Sequence, residues 1–195
     1  MKNMREKPKL KTKSKPLTKQ KQAKYDALTI AKYLFSLDPE RKYFSTKKIS
    51  TSTGLSSIIL GNFRLNQMLY LLQIFYYVKN HQFLFRDDLY AFDNGFIVYD
   101  AYRSFWFLYD NEQFGNGVED IRDKKIKGFL NKLFSHFKQY STKELEEFYN
   151  EDLAWIETWQ EEKKEPKVEF NSEVLNFYET FLDNHLRYIE QRVSN

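Results

Sequence analysis

Residues able to do chemistry are few in this 195-residue chain, and their spacing does not build a reaction centre. The three histidines, His81, His136 and His185, stand far apart and fall in no His-x-x-x-His or related ligand pattern. They read as unrelated surface or boundary residues, not as a metal site. Cysteine is absent, which excludes a thiolate zinc site, a disulfide framework and a cysteine nucleophile together. Asp87 and Asp88 are neighbours, so their carboxylates diverge, and a solvated turn is expected before an acid–base pair. The sequence holds no Gly-rich phosphate loop and no Gly-x-Ser-x-Gly elbow. The expectation is a non-enzymatic protein with no cofactor and no metal.

Charge is distributed unevenly. Residues 1–24 carry nine lysines and Arg5 against Glu6, a net +9; the whole chain is +4, which leaves −5 on residues 25–195. The segment has two prolines and almost no large apolar side chains, so nothing offsets the entropy of ordering it. A disordered basic N-terminal tail over 1–24 is expected. Lys9, Lys11, Lys13, Lys15, Lys19 and Lys21 could hold phosphates as point charges, without reading bases and with affinity that falls as salt rises. A solubilising leader is the other reading. Ile49-Ser50-x-x-x-Gly54-Leu55-Ser56, followed by Leu60 and Phe63, has helix-turn-helix spacing; a flexible Ser/Thr loop before the central helix is the favoured reading.

The elements that must position these residues are mainly helices. Aromatics abound, with 18 Phe, 14 Tyr and 3 Trp, while Gly and Pro number only 6 and 4, too few for a sandwich of short strands. The rings fall on apolar helical faces, which favours core packing over stacking platforms for nucleic-acid bases. Periodicity predicts a helix over Tyr25–Leu37, ended by Asp38-Pro39, and a nearly all-round apolar, hence central, helix over Phe63–Val78. Residues 43–62 read as a Ser/Thr-rich loop with at most a short helix. Phe83–Tyr99, broken at Asp87-Asp88 and Asn94-Gly95, suggests one short hairpin at most. Helices are expected again over Tyr99–Tyr109 and 118–139. Ser141-x-x-Glu144 is a capping box opening a helix to Tyr149, another spans Leu153–Gln160, and Asn171 or Ser172 caps the last. No stretch approaches the roughly 18 apolar residues of a membrane helix, and the charged N-terminus lacks a secretory core. A cytoplasmic protein without membrane contact is expected: one compact helical domain over 25–195 behind the tail.

Three segments, taken in order, resemble the Panacea (SocA-like) family. Arg64-Leu65-Asn66-Gln67-Met68-Leu69-Tyr70-Leu71-Leu72-Gln73 is similar to its Lys-Leu-x-Lys-Leu-Leu-Tyr-x-x-Gln signature. The run Phe83–Gly95, with Val98 to Tyr102, resembles its Leu-Phe-x-Asp/Glu-x-x-x-Ala-Trp-x-x-Gly and Val-x-x-x-Tyr continuation. Tyr140-Ser141-x-x-Glu144-Leu145 and Asn150-x-Asp152-x-x-Trp155 resemble its late Glu-Leu and Pro-Trp segment. The chain departs from the pattern at Phe96, where the family has Pro, at Asn150, where it has His, and at Ala154, where it has Pro before Trp. Asn150 could keep a hydrogen bond but could not titrate.

The resemblance implies a role on phages or other mobile elements, neutralising a toxin by direct contact or presenting it to a protease as an adaptor. A partner protein, toxin or host factor, would meet Asp93, Gly95, Phe96, Tyr99, Tyr102, Arg103, Asn150 and Trp155. Tyr99, Tyr102 and Trp106 share one side of their helix while Phe105 and Tyr109 lean to another, so one group should be exposed. The competing reading is a nucleic-acid-associated protein, or an inhibitor of a host nuclease–nucleic-acid complex, working through the basic tail.

Overall fold

The computed structural model describes residues 20, 22–50, 57–92, 95–110, 121–150, 152–159 and 167–192. Among the described residues contacts reach back to Gln20, ahead of the expected boundary at Tyr25: its amide donates to the Asp87 carbonyl at 2.6 Å, and Ala23 packs against the core. The lysines singled out from Lys9 to Lys21 lie outside the described residues.

Helix α1 (Ala27–Ser36) starts where Asp26 accepts the Thr29 N–H at 2.7 Å. Past its end, the Asp38 carboxylate collects the backbone N–H groups of Lys42, Tyr43 and Phe44 at 3.1, 2.9 and 2.8 Å, and so turns the chain back. That turn seats Phe44 between Phe35 and Phe134, with ring centroids 4.8 and 5.9 Å away.

The expected loop over 43–62 is instead an antiparallel ribbon of β1 (Lys48–Ser50) and β2 (Ser57–Ile59), with Lys48 opposite Ile59. Ile49, Ile58 and Ile59 are β-branched and suit a pleated ribbon, a signal hidden by the surrounding Ser and Thr. This overturns the helix-turn-helix reading, because Ile49 and Ser50 lie on a strand where that motif needs a helix. There are thus two ribbons among the described residues, where one at most was expected.

Strand β2 runs directly into α2 (Leu60–Asn80), the central helix, with fifteen of its 21 residues buried. It touches α1 and β2, and it also touches β4 (Gly95–Ile97), α3 (Tyr99–Arg103), α5 (Lys124–Phe137) and α8 (Ser172–Arg192). Gly61 is required at its start: a Cβ there would run into the backbone of Phe44 and Ser45. The hairpin expected after Phe83 is β3 (Tyr90–Phe92) paired with β4, and Gly95 closes it at φ 113°, where side chains are rarely tolerated.

The single helix expected over Tyr99–Tyr109 is two, α3 and α4 (Phe105–Asp110), because Ser104 leaves the helical region at ψ 0°. Helix α5 begins later than expected, since Asp123 caps it by accepting from Lys125 and Ile126 N–H; residues 111–120 lie outside the described chain. The capping box of α6 (Thr142–Asn150) is formed: Ser141 N–H donates to Glu144 at 2.7 Å and Glu144 N–H to the Ser141 hydroxyl at 3.3 Å. Asp152 caps α7 (Leu153–Trp159), and Asn171, of the two candidates, caps α8. Among the described residues no helix is long and apolar enough to cross a membrane.

Candidate protein-binding site

Of the residues expected to meet a partner, four line one groove: Gly95, Phe96, Tyr99 and Tyr102. Phe96 also belongs to the core, its ring stacked on that of Tyr70 at 3.9 Å and nearly parallel. Tyr99 is half-buried against Tyr90, 4.5 Å between centroids, and the Arg103 guanidinium lies over its ring at 5.3 Å. Trp155 is half-buried and reaches the same hairpin from α7, donating its indole N–H to the Phe92 carbonyl at 3.0 Å. Asp93 and the side chain of Asn150 lie outside the described residues.

The groove, about 350 Å³, runs between the two ribbons. Ile58 and Ile59 of β2 form one wall, Ile97 of β4 and Tyr99 of α3 the other, and Phe63 of α2 contributes from its first turns. Two asparagines hold the walls together. Asn66 accepts the Val98 N–H at 2.9 Å and donates to Asn62, which in turn donates to the Tyr102 carbonyl at 3.1 Å. Their amides are occupied in the scaffold, so what the groove offers is mainly carbon. Beyond it, α3 and α4 expose Tyr102, Trp106 and Phe107, 48, 51 and 59% accessible, while Phe105 turns inward against Phe35. Helical periodicity requires one of the two sides to be exposed but does not say which; the structure exposes Tyr102 and Trp106 and leaves Tyr99 half-buried. The isoleucine wall depends on the unrecognised ribbon.

A second arrangement is fully buried. Tyr70 of α2 donates its hydroxyl to Asp152, Tyr178 of α8 donates to the other carboxylate oxygen at 3.1 Å, and the two hydroxyls meet at 2.8 Å. Burial raises Asp152 to about 6 despite the hydrogen bonds it accepts, and burial with the adjacent carboxylate raises both tyrosines. The three side chains thus close a ring of oxygen–oxygen contacts. None of these three side chains lines the groove.

No protein-family profile, curated protein or solved structure matches this chain. The three segments that carry the resemblance nonetheless meet in space. Gln73 accepts from Leu84 and Phe85 N–H at 2.9 and 3.1 Å, Tyr70 bonds Asp152, and Phe92 bonds Trp155. Their recognisable residues mostly hold helices and ribbon together, while Asn66, Phe92 and the Gly95–Tyr102 stretch also border the groove.

His136 and His185, unrelated by sequence spacing, have ring centroids 5.7 Å apart between α5 and α8, because packing sets that distance. Burial lowers the His185 pKa, and His136 meets the Tyr140 hydroxyl at 3.2 Å. His81 is exposed and pairs with Glu179. Among the described residues no group of three or more His, Asp or Glu could hold a metal. Asp87 is no free turn residue: it accepts the Ala27 N–H at 2.7 Å, and Lys167 reaches Asp88 at 2.8 Å.

Proposed function

We propose that this chain is a non-enzymatic binding protein that neutralises a partner protein by direct contact, antitoxin-like or adaptor-like, in a mobile-element setting. The observation that carries this is the run of exposed rings, Tyr102, Trp106 and Phe107, continuing from a largely carbon-lined groove whose two asparagine amides are occupied internally. Tyr and Trp offer large contact area at low entropic cost and dominate interface hot spots. The resemblance to Panacea domains supplies the partner class, a toxin or a host factor.

The charge split, +9 on residues 1–24 against −5 on the remainder, favours a second reading: a nucleic-acid-associated inhibitor working through Lys9 to Lys21. One experiment separates the two. The full chain and its Y102A/W106A variant are used to capture partners from host lysate, with and without nuclease. A protein retained through nuclease treatment and lost with the variant supports the first reading; loss on nuclease treatment alone supports the second.

A further inference from the structure

A second opening, about 410 Å³, lies where α5 crosses α2 and α8, away from the ribbons. Its floor is carbon: Phe129 and Leu133 of α5, Leu186 and Ile189 of α8. Its rim is basic. Lys124, Lys125 and Lys132 come from α5 and Lys79 from the last turn of α2. The three α5 lysines form no ion pair with the described residues. Among the described residues the one carboxylate at the rim, Asp123, is committed to capping α5.

Lys124, Gly128 and Lys132 follow one another at four-residue spacing and so form a row along a single face of α5. Glycine is the poorest helix former after proline. Here its usual structural justifications are missing: Gly128 has no positive φ, and a Cβ built on it would meet nothing within 4 Å. Gly61, at the start of α2, is the contrasting case, excluded from bearing a Cβ by the backbone beside it. Nothing in the described fold needs a bare backbone at Gly128. Something that lies against α5 would.

We propose that this opening receives an acidic segment of a partner protein, anchored by one aromatic or branched apolar side chain between flanking carboxylates, with Gly128 left bare for close approach. The lysine rim matches the carboxylates, and the carbon floor matches the anchor. A nucleic-acid backbone would satisfy the lysines but bring nothing apolar to Phe129 and Leu133. This surface is separate from the groove beside Tyr102 and does not depend on that reading.

The test is fluorescence anisotropy on the full chain with a labelled synthetic peptide carrying one Trp between glutamates. Controls replace the glutamates by Gln, or the Trp by Ala; the latter reports charge attraction alone, including that of residues 1–24. The acidic Trp peptide is expected to bind about tenfold or more tightly than either control. G128L should abolish that preference while melting no lower than the parent, since leucine favours helix and a Cβ at this position meets nothing within 4 Å. K124Q/K132Q should lose it as well. Equal binding of all three peptides, no binding of the acidic Trp peptide, or indifference to G128L would overturn the proposal. So would single-stranded DNA whose binding G128L abolishes, which would assign the opening to nucleic acid.

Discussion

The Tyr70 hydroxyl donates to the carboxylate of Asp152, two residues 82 positions apart in sequence and both buried. Burial holds the Asp152 pKa at about 6, above its ordinary value near 4. The folded chain therefore keeps a proton that the unfolded chain releases. The contribution of this group is full below pH of about 4, is lost as pH rises to about 6, and is flat above, a change of about 3 kcal/mol. D152N keeps the shape and cannot ionise. Its stability relative to the parent, from denaturant unfolding at several pH values, should rise across that window and then level. A constant difference would mean that Asp152 titrates normally.

Two glutamines on α2 should behave oppositely. Gln73 satisfies the buried N–H groups of Leu84 and Phe85 and donates to the Phe85 carbonyl at 2.9 Å. Q73M orphans all three and should cost about 3 kcal/mol or more. Gln67 is fully buried, and neither its amide oxygen nor its nitrogen has a hydrogen-bond partner in the described structure. Q67M should raise stability by about 1 kcal/mol. Chemical denaturation of the two variants side by side checks both signs.

The aromatics of α3 and α4 divide by burial. F105A removes a fully buried ring packed against Phe35 and should cost about 3–5 kcal/mol. Y102A/W106A should melt close to the parent yet lose the partner. Unfolding of the double variant would make these rings structural and remove the main support for the proposed function.

The helix-borne glycines give a further contrast. G128A should stabilise by about 0.5–1 kcal/mol, as expected for a helix interior with open space. G61A forces the Phe44–Ser45 backbone to move and should cost more than about 1 kcal/mol. Thermal melts of both variants decide the matter.

A chain starting at Gln20 keeps the hydrogen bond to Asp87 and should melt with the full chain. Any nucleic-acid binding by the full chain should weaken steeply with salt and disappear in the shortened one. Binding that survives shortening would place it on the body.

Where an element rests on local signals, the sequence alone determined it. The all-round apolar pattern of Phe63–Val78 requires a central helix, and Asp38-Pro39 ends the first one. Ser141 and Glu144 write their own cap, and Asn94-Gly95 marks a hairpin. These depend on residues a few positions apart, whose energies differ little between the isolated segment and the fold. The ribbon Lys48–Ser50 with Ser57–Ile59 was not legible, since pairing and packing on α2 stabilise it against a weak local preference. The candidate sites divide the same way. Helical spacing divides the rings of α3 and α4 into two sides, but which side is exposed, the isoleucine wall, the Tyr70–Asp152–Tyr178 ring, the His136–His185 contact and the lysine-rimmed opening are decided by how the ribbons and helices pack. Contacts between residues tens of positions apart are set by the packing of whole helices, which no short-range spacing records.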